Sequence, residues 1–189
     1  AVYYWPDLKF KYYGNSLSGR LTLYPYTYEK SYPSPEEEMH KCLRSAGQDF
    51  HHLPKVYYGI VRRACMERVK ALAGTCFPGP SPDLAGAMAV APFIKKMIRV
   101  DYPLFVPGNS GGSIAGLGAM KKHEGSIKDQ THLPKDCEEK WSELVPRIFS
   151  GNSIMGENVV EALRAIGRND MLRDFNVPLL HGMNCAFNP

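Results

Sequence analysis

The sequence predicts a mostly α-helical chain with a small N-terminal β-hairpin, an α+β fold whose irregular helical domain carries extended arms. Apolar residues recur at helical spacing, between start and stop signals, across residues 34–101 and again across 135–175. Near the N-terminus the period changes to two. The chain holds 15 prolines and 11 tyrosines, most of them outside both helical stretches, where they make long irregular connections. At 189 residues the chain is long enough for one buried core, and one domain overall is the expectation.

Residues 1–33 read as an extended arm with a hairpin. Leu8, Phe10 and Tyr12 alternate with Lys9, Lys11 and Tyr13, and Leu21 and Leu23 share one face of the stretch Arg20 to Tyr24. Gly14-Asn15-Ser16 and Ser18-Gly19 supply the turn between them. Ser34 is an N-cap, Pro35 suits the first helical position, and Glu37 stands where a capping box needs it. Met39, Cys42, Leu43 and Ala46 form that helix's buried stripe, and Gly47 ends it.

Pro54 opens a second expected helix, with Tyr57, Ile60, Val61, Ala64, Cys65, Val69 and Leu72 at helical spacing before Gly74. Ser81-Pro82-Asp83 starts a third, carrying Leu84, Met88, Ala91, Ile94 and Ile98, with a kink or break expected at Pro92. Residues 102–134 show no period and form a Gly-rich loop too long for an ordinary connection. Asp136 and Glu139 signal another helix through Trp141, Leu144, Val145 and Ile148, stopped by Gly151. Val159, Val160, Leu163 and Ile166 make a helix ending at Gly167, a short turn spans Asp170 to Phe175, and residues 176–189 read as an extended tail.

Composition narrows the function. The net charge of +4 is mild, and the basic pairs Arg62-Arg63, Lys95-Lys96 and Lys121-Lys122 are scattered instead of forming a phosphate track. The longest apolar run, Leu84 to Ile94, is broken by Gly86 and Pro92 and falls short of the roughly 18 residues of a membrane span. The chain starts at Ala1, which reads as a processed or trimmed end. Five cysteines, none in a C-x-x-C pair, read as free thiols. His40-x-Cys42, His181-x3-Cys185 and His51-His52 each offer two ligands with no second pair at fixed spacing, so neither metal nor cofactor is expected. The phosphate-loop pattern G-x-x-x-x-G-K-[ST] is absent.

One string carries a chemical signal. Gly108 to Gly112, GNSGG, resembles the nucleophile loop of trypsin-like serine proteases. The resemblance implies Ser110 as nucleophile, His52 (or His40 or His51) as base, Asp49, Asp83 or Asp101 as its orienter, and backbone N–H groups facing an oxyanion. It spans five residues, and expected helices fill the space where that family has strands. A serine hydrolase is therefore the alternative function, and an RNA-associated, ribosomal-type subunit the other.

The leading expectation is a non-catalytic accessory or scaffold subunit of a larger assembly. Tyr3, Tyr4, Trp5, Phe10, Tyr24, Tyr26, Tyr28 and Phe187 are the expected partner-binding residues, because aromatic side chains set among prolines are suited to protein–protein contact. Other protein subunits are the expected partners. The expected setting is intracellular, in a mitochondrial respiratory or ATP-synthase complex.

Overall fold

The computed structural model describes residues 25–104 and 124–186, together with the backbone of 2–3, 21–22 and 187. The chain is mostly α-helical with small antiparallel strand pairs, as its periodicity predicts. It divides into two compact units, Ala1–Ser31 with Arg99–Glu124, and Tyr32–Ile98 with Gly125–Pro189. The first unit is assembled from two stretches that lie either side of helical sequence.

The first unit contains two ladders. Strand β1 (Val2–Tyr3) pairs antiparallel with β2 (Leu21–Thr22), and β3 (Lys30–Ser31) pairs antiparallel with β4 (Arg99–Val100). The second strand expected for the hairpin thus appears at β2, with β1 as its partner. The expected strand Leu8 to Tyr13 lies outside the described residues.

The second unit is built around α3 (Pro82–Val90), in which every residue from Leu84 to Val90 is buried. Alanine and glycine at four of those seven positions let neighbouring helices approach from all sides. Pro92 stops it, and a single 3-10 turn, Ala91–Phe93, follows. Ile94 is half-buried, and Ile98, expected on the helix, is exposed beyond its end. The main partner of α3 is α5 (Gly151–Ala165). Asn158 of α5 accepts the Ser81 N–H at 2.7 Å, fixing the entry to α3.

Helix α1 (Pro35–Arg44) starts as its sequence predicts, with the Ser34 hydroxyl accepting from the Glu37 N–H. Its end is a Schellman turn, in which Ala46 takes φ 55° and Gly47 donates to Cys42 O at 2.8 Å. Gly47, at φ 86°, has room for no side chain, because a Cβ there would stand 2.8 Å from Met155 O of α5.

Three expectations are corrected here. The helix expected from Pro54 begins nine residues later, as α2 (Arg63–Ala73). Residues 51–62 form a loop, closed where the Lys55 amine donates to Phe50 O at 2.7 Å, and Tyr57 and Ile60 are exposed, not buried. The helix expected from Asp136 lasts four residues, α4 (Cys137–Lys140). Beyond it the chain turns irregularly, with the Trp141 indole donating to Pro146 O at 3.1 Å. Gly151 does not stop a helix but starts α5, because Ser150 and Ser153 form a reciprocal capping box in front of it.

The expected extended tail is the helix α6 (Val177–Phe187). Asn176 caps it by accepting the Leu179 N–H at 3.0 Å, and its own amide groups donate to Leu43 O and Arg44 O at the end of α1. Leu180 and Asn184 then bury against α5, where a Cβ on Gly156 would meet Leu180 Cδ2 at 2.6 Å. The described residues of the C-terminal arm therefore pack on the chain's own core. Among the described residues, no helix is long and apolar enough to cross a membrane.

Candidate functional site

The arrangement that stands out is a tyrosine surface in the first unit, built on the β3–β4 ladder. Asp101 organises it. Its carboxylate accepts from the Thr27 N–H at 2.7 Å and the Thr27 hydroxyl at 2.8 Å, and these two bonds hold its pKa below the usual carboxylate range. The backbone closes the same corner, Tyr28 N–H donating to Asp101 O at 3.0 Å and Asp101 N–H to Glu29 O at 2.9 Å.

On this corner three rings meet. Tyr28 stacks on Tyr102 with centroids 5.1 Å apart, and Tyr26 stands edge-on to both, at 4.9 Å from Tyr28 and 5.3 Å from Tyr102. Each such pair contributes on the order of 1 kcal/mol beyond area burial. The Tyr28 hydroxyl donates to the Tyr26 hydroxyl at 3.5 Å, and that bond raises the Tyr28 pKa. Yet the rings remain in solvent, at 39% exposure for Tyr26, 62% for Tyr28 and 41% for Tyr102, with Leu104 close in sequence at 68%.

The backbone adds a second signal. Tyr28 sits at φ 62°, in the left-handed region, where a residue with a Cβ costs about 1–2 kcal/mol. The chain accepts that strain to present a tyrosine, where glycine or asparagine would fit more easily.

Of the expected partner-binding residues, Tyr26 and Tyr28 are brought together here. The side chains of Tyr3, Tyr4, Trp5, Phe10, Tyr24 and Phe187 lie outside the described residues. Tyr102 was missed because it begins the stretch read as aperiodic. Its signal was there, since Val100, Tyr102 and Leu104 alternate with Arg99, Asp101 and Pro103.

The residues implied by the serine-protease resemblance are placed otherwise. Ser110 and its loop lie outside the described residues. His40 pairs with Asp174 at 2.9 Å, His51 stacks on Phe50, and Asp101 is committed to Thr27. Asp83 accepts the Leu84 N–H at the start of α3, Asp49 is exposed, and His52 is half-buried in the loop after α1.

Two further groups could carry chemistry by their burial. Glu157 is buried on α5, both of its carboxylate oxygens accept the single Ser142 N–H at 3.1 Å, and burial pushes its pKa up to about 7. The Cys42 thiol is pushed up to about 12 and that of Cys137 to about 11, again by burial, so neither is a ready nucleophile near neutral pH. All five cysteines are free, and Cys185 is exposed. Among the described residues, no group of three His, Cys, Asp or Glu side chains could hold a metal ion.

Comparisons of the chain with family models, with curated proteins and with solved structures return no match.

Proposed function

We propose that the chain is a non-catalytic accessory or scaffold subunit of a larger protein assembly, docking through Tyr26, Tyr28 and Tyr102. The observation that carries this reading is an ordered aromatic cluster left in solvent on a strained, doubly anchored corner. Tyrosine gives large contact area with few rotatable bonds, and its hydroxyl satisfies a polar rim, which is why it concentrates binding energy at interfaces. An organellar setting, a mitochondrial respiratory or ATP-synthase complex, is part of the proposal and rests on mild basicity and free thiols.

Hydroxyl-radical footprinting of the native material against the isolated chain tests it. The expected result is strong protection of Tyr26, Tyr28 and Tyr102 in the native material, with exposed Tyr57 and Tyr58 oxidised equally in both. Equal oxidation of the three clustered tyrosines in both samples would overturn the reading.

A further inference from the structure

Four exposed apolar or aromatic side chains of the helical unit gather in α2 and the loop before it. Tyr57 is 50% exposed, Tyr58 56% and Leu72 57%, and Ile60 stands wholly in solvent. The loop holds Ile60 out on a closed turn, since a Cβ on Gly59 would stand 2.5 Å from Lys55 O. Helix α2 itself is seated along one side. Val69 is buried, Cys65 and Met66 are half-buried, and the Cys65 thiol donates to Phe93 O at 3.4 Å. Helical spacing then turns exposed Ala64 and Ala71 outward, with Arg68 and Leu72 on one flank and Arg63 and Lys70 on the other.

The charge on this face is one-sided. From Tyr57 to Ala73 the cations Arg62, Arg63, Arg68 and Lys70 stand against the single carboxylate of Glu67, a net +3 where the whole chain carries +4. Glu67 pairs with Arg63 at 2.7 Å, and both side chains lie in solvent. Lys55 and Asp83, which border the cleft beside Tyr57 and Tyr58, carry opposite charges and cancel. A nucleic-acid backbone would engage the cations and leave Ile60 and Leu72 in water. An anionic bilayer engages both, with acyl chains for an apolar tip, a headgroup layer for tyrosine and phosphates for the basic residues.

We infer that this loop and α2 form a peripheral docking surface for anionic lipid bilayers, with Ile60 entering the acyl boundary, Tyr57 and Tyr58 at headgroup level and the four cations on lipid phosphates. The surface is separate from the tyrosine corner, which belongs to the other unit. One apolar tip alone gives marginal attachment; joined to a basic patch it gives reversible binding that salt weakens. The exposed alanines let the helix lie close to the headgroups while the longer basic side chains reach them from both flanks.

The test is flotation of the intact wild-type chain with phosphatidylcholine vesicles containing about 30% phosphatidylserine, beside vesicles of phosphatidylcholine alone, at about 0.15 M salt. Binding to the anionic vesicles should be at least about tenfold tighter, since each basic residue near such a surface contributes about fivefold. Ile60→Ser changes a wholly exposed side chain and should weaken that binding about tenfold without disturbing the fold. Arg62→Gln with Arg68→Gln should weaken it about twentyfold. Tyr57 and Tyr58, open to hydroxyl radicals in vesicle-free material, should be protected once anionic vesicles are bound. No binding to the anionic vesicles, equal binding to both kinds, or undiminished binding by Ile60→Ser would overturn the proposal. Tight binding of single-stranded RNA that Ile60→Ser leaves intact, in place of vesicle binding, would assign the face to nucleic acid and overturn it as well.

Discussion

The two units of this chain treat their apolar residues in opposite ways. In the helical unit Met39, Leu43, Met88, Val159, Leu163 and Leu180 are sealed from water, and among the described residues every buried side-chain polar atom has a hydrogen-bond partner. In the strand unit the described tyrosines are ordered by a carboxylate and one another, yet remain in solvent. The first pattern is what stability requires of a small core. The second leaves ring area in water and holds strain at Tyr28, and it is the basis of the docking role proposed for this surface. Substitutions should therefore separate the units, with folding sensitive in one and assembly sensitive in the other.

The largest effect is expected at the centre of α3. Met88→Ala should destabilise the chain by about 3 kcal/mol, from lost transfer energy and an unfilled cavity, read as a lower urea midpoint. A loss below about 1 kcal/mol would mean that the core can collapse around the gap and is less closely packed than described here.

Glu157 comes next, through pH. Its folded pKa of about 7 lies above the ordinary value of about 4.3, so between those values the folded chain holds a proton that the unfolded chain has released. The stabilisation from this group is full below about pH 4.3 and is lost as pH rises toward 7, about 3 kcal/mol as an upper value. Glu157→Gln keeps an acceptor for the Ser142 N–H and should flatten the fall in urea midpoint between about pH 5 and pH 7. An unchanged slope in that variant would show that the carboxyl is better solvated than its burial implies.

A smaller effect is expected where α5 meets α6. Gly156→Ala places a methyl group against Leu180 and should cost about 1–3 kcal/mol by overpacking. If α6 were loosely attached, the variant would be neutral. The smallest stability change belongs to the strand unit. Tyr28→Asn relieves a left-handed tyrosine but gives up its contacts with the Tyr26 and Tyr102 rings, so the two changes should offset and leave the thermal midpoint nearly unchanged while weakening assembly.

The contrast also explains what the sequence made legible. Ser34, Pro35 and Glu37 announced α1 because a cap is a local chemical arrangement, and Pro92 ended α3 for an equally local reason. The helix α6 stood where residues 176–189 read as an extended tail, a stretch in which Pro178 and Gly182 are weak helix formers. Its stability comes from Asn176 reaching the end of α1 and from Leu180 packing on α5, both distant in sequence. The stretch after Pro54 misled in the other direction, since helical spacing there is met by a loop tied down through Lys55. At the candidate site Tyr26 and Tyr28 were legible as exposed aromatics among prolines. Tyr102 and the anchoring role of Asp101 were not, because the pairing that joins them to Thr27 spans 74 residues.

The most direct measurement is native mass spectrometry of the protein from its source, beside the same material carrying Tyr26→Ser, Tyr28→Ser and Tyr102→Ser together. The account predicts that the wild-type chain runs in a defined complex with other subunits. It also predicts that the triple variant is released as a folded monomer, with the loss of its three ring contacts read as only a modest fall in thermal midpoint. A wild-type chain that is itself monomeric, or a triple variant that stays in the complex, would contradict it.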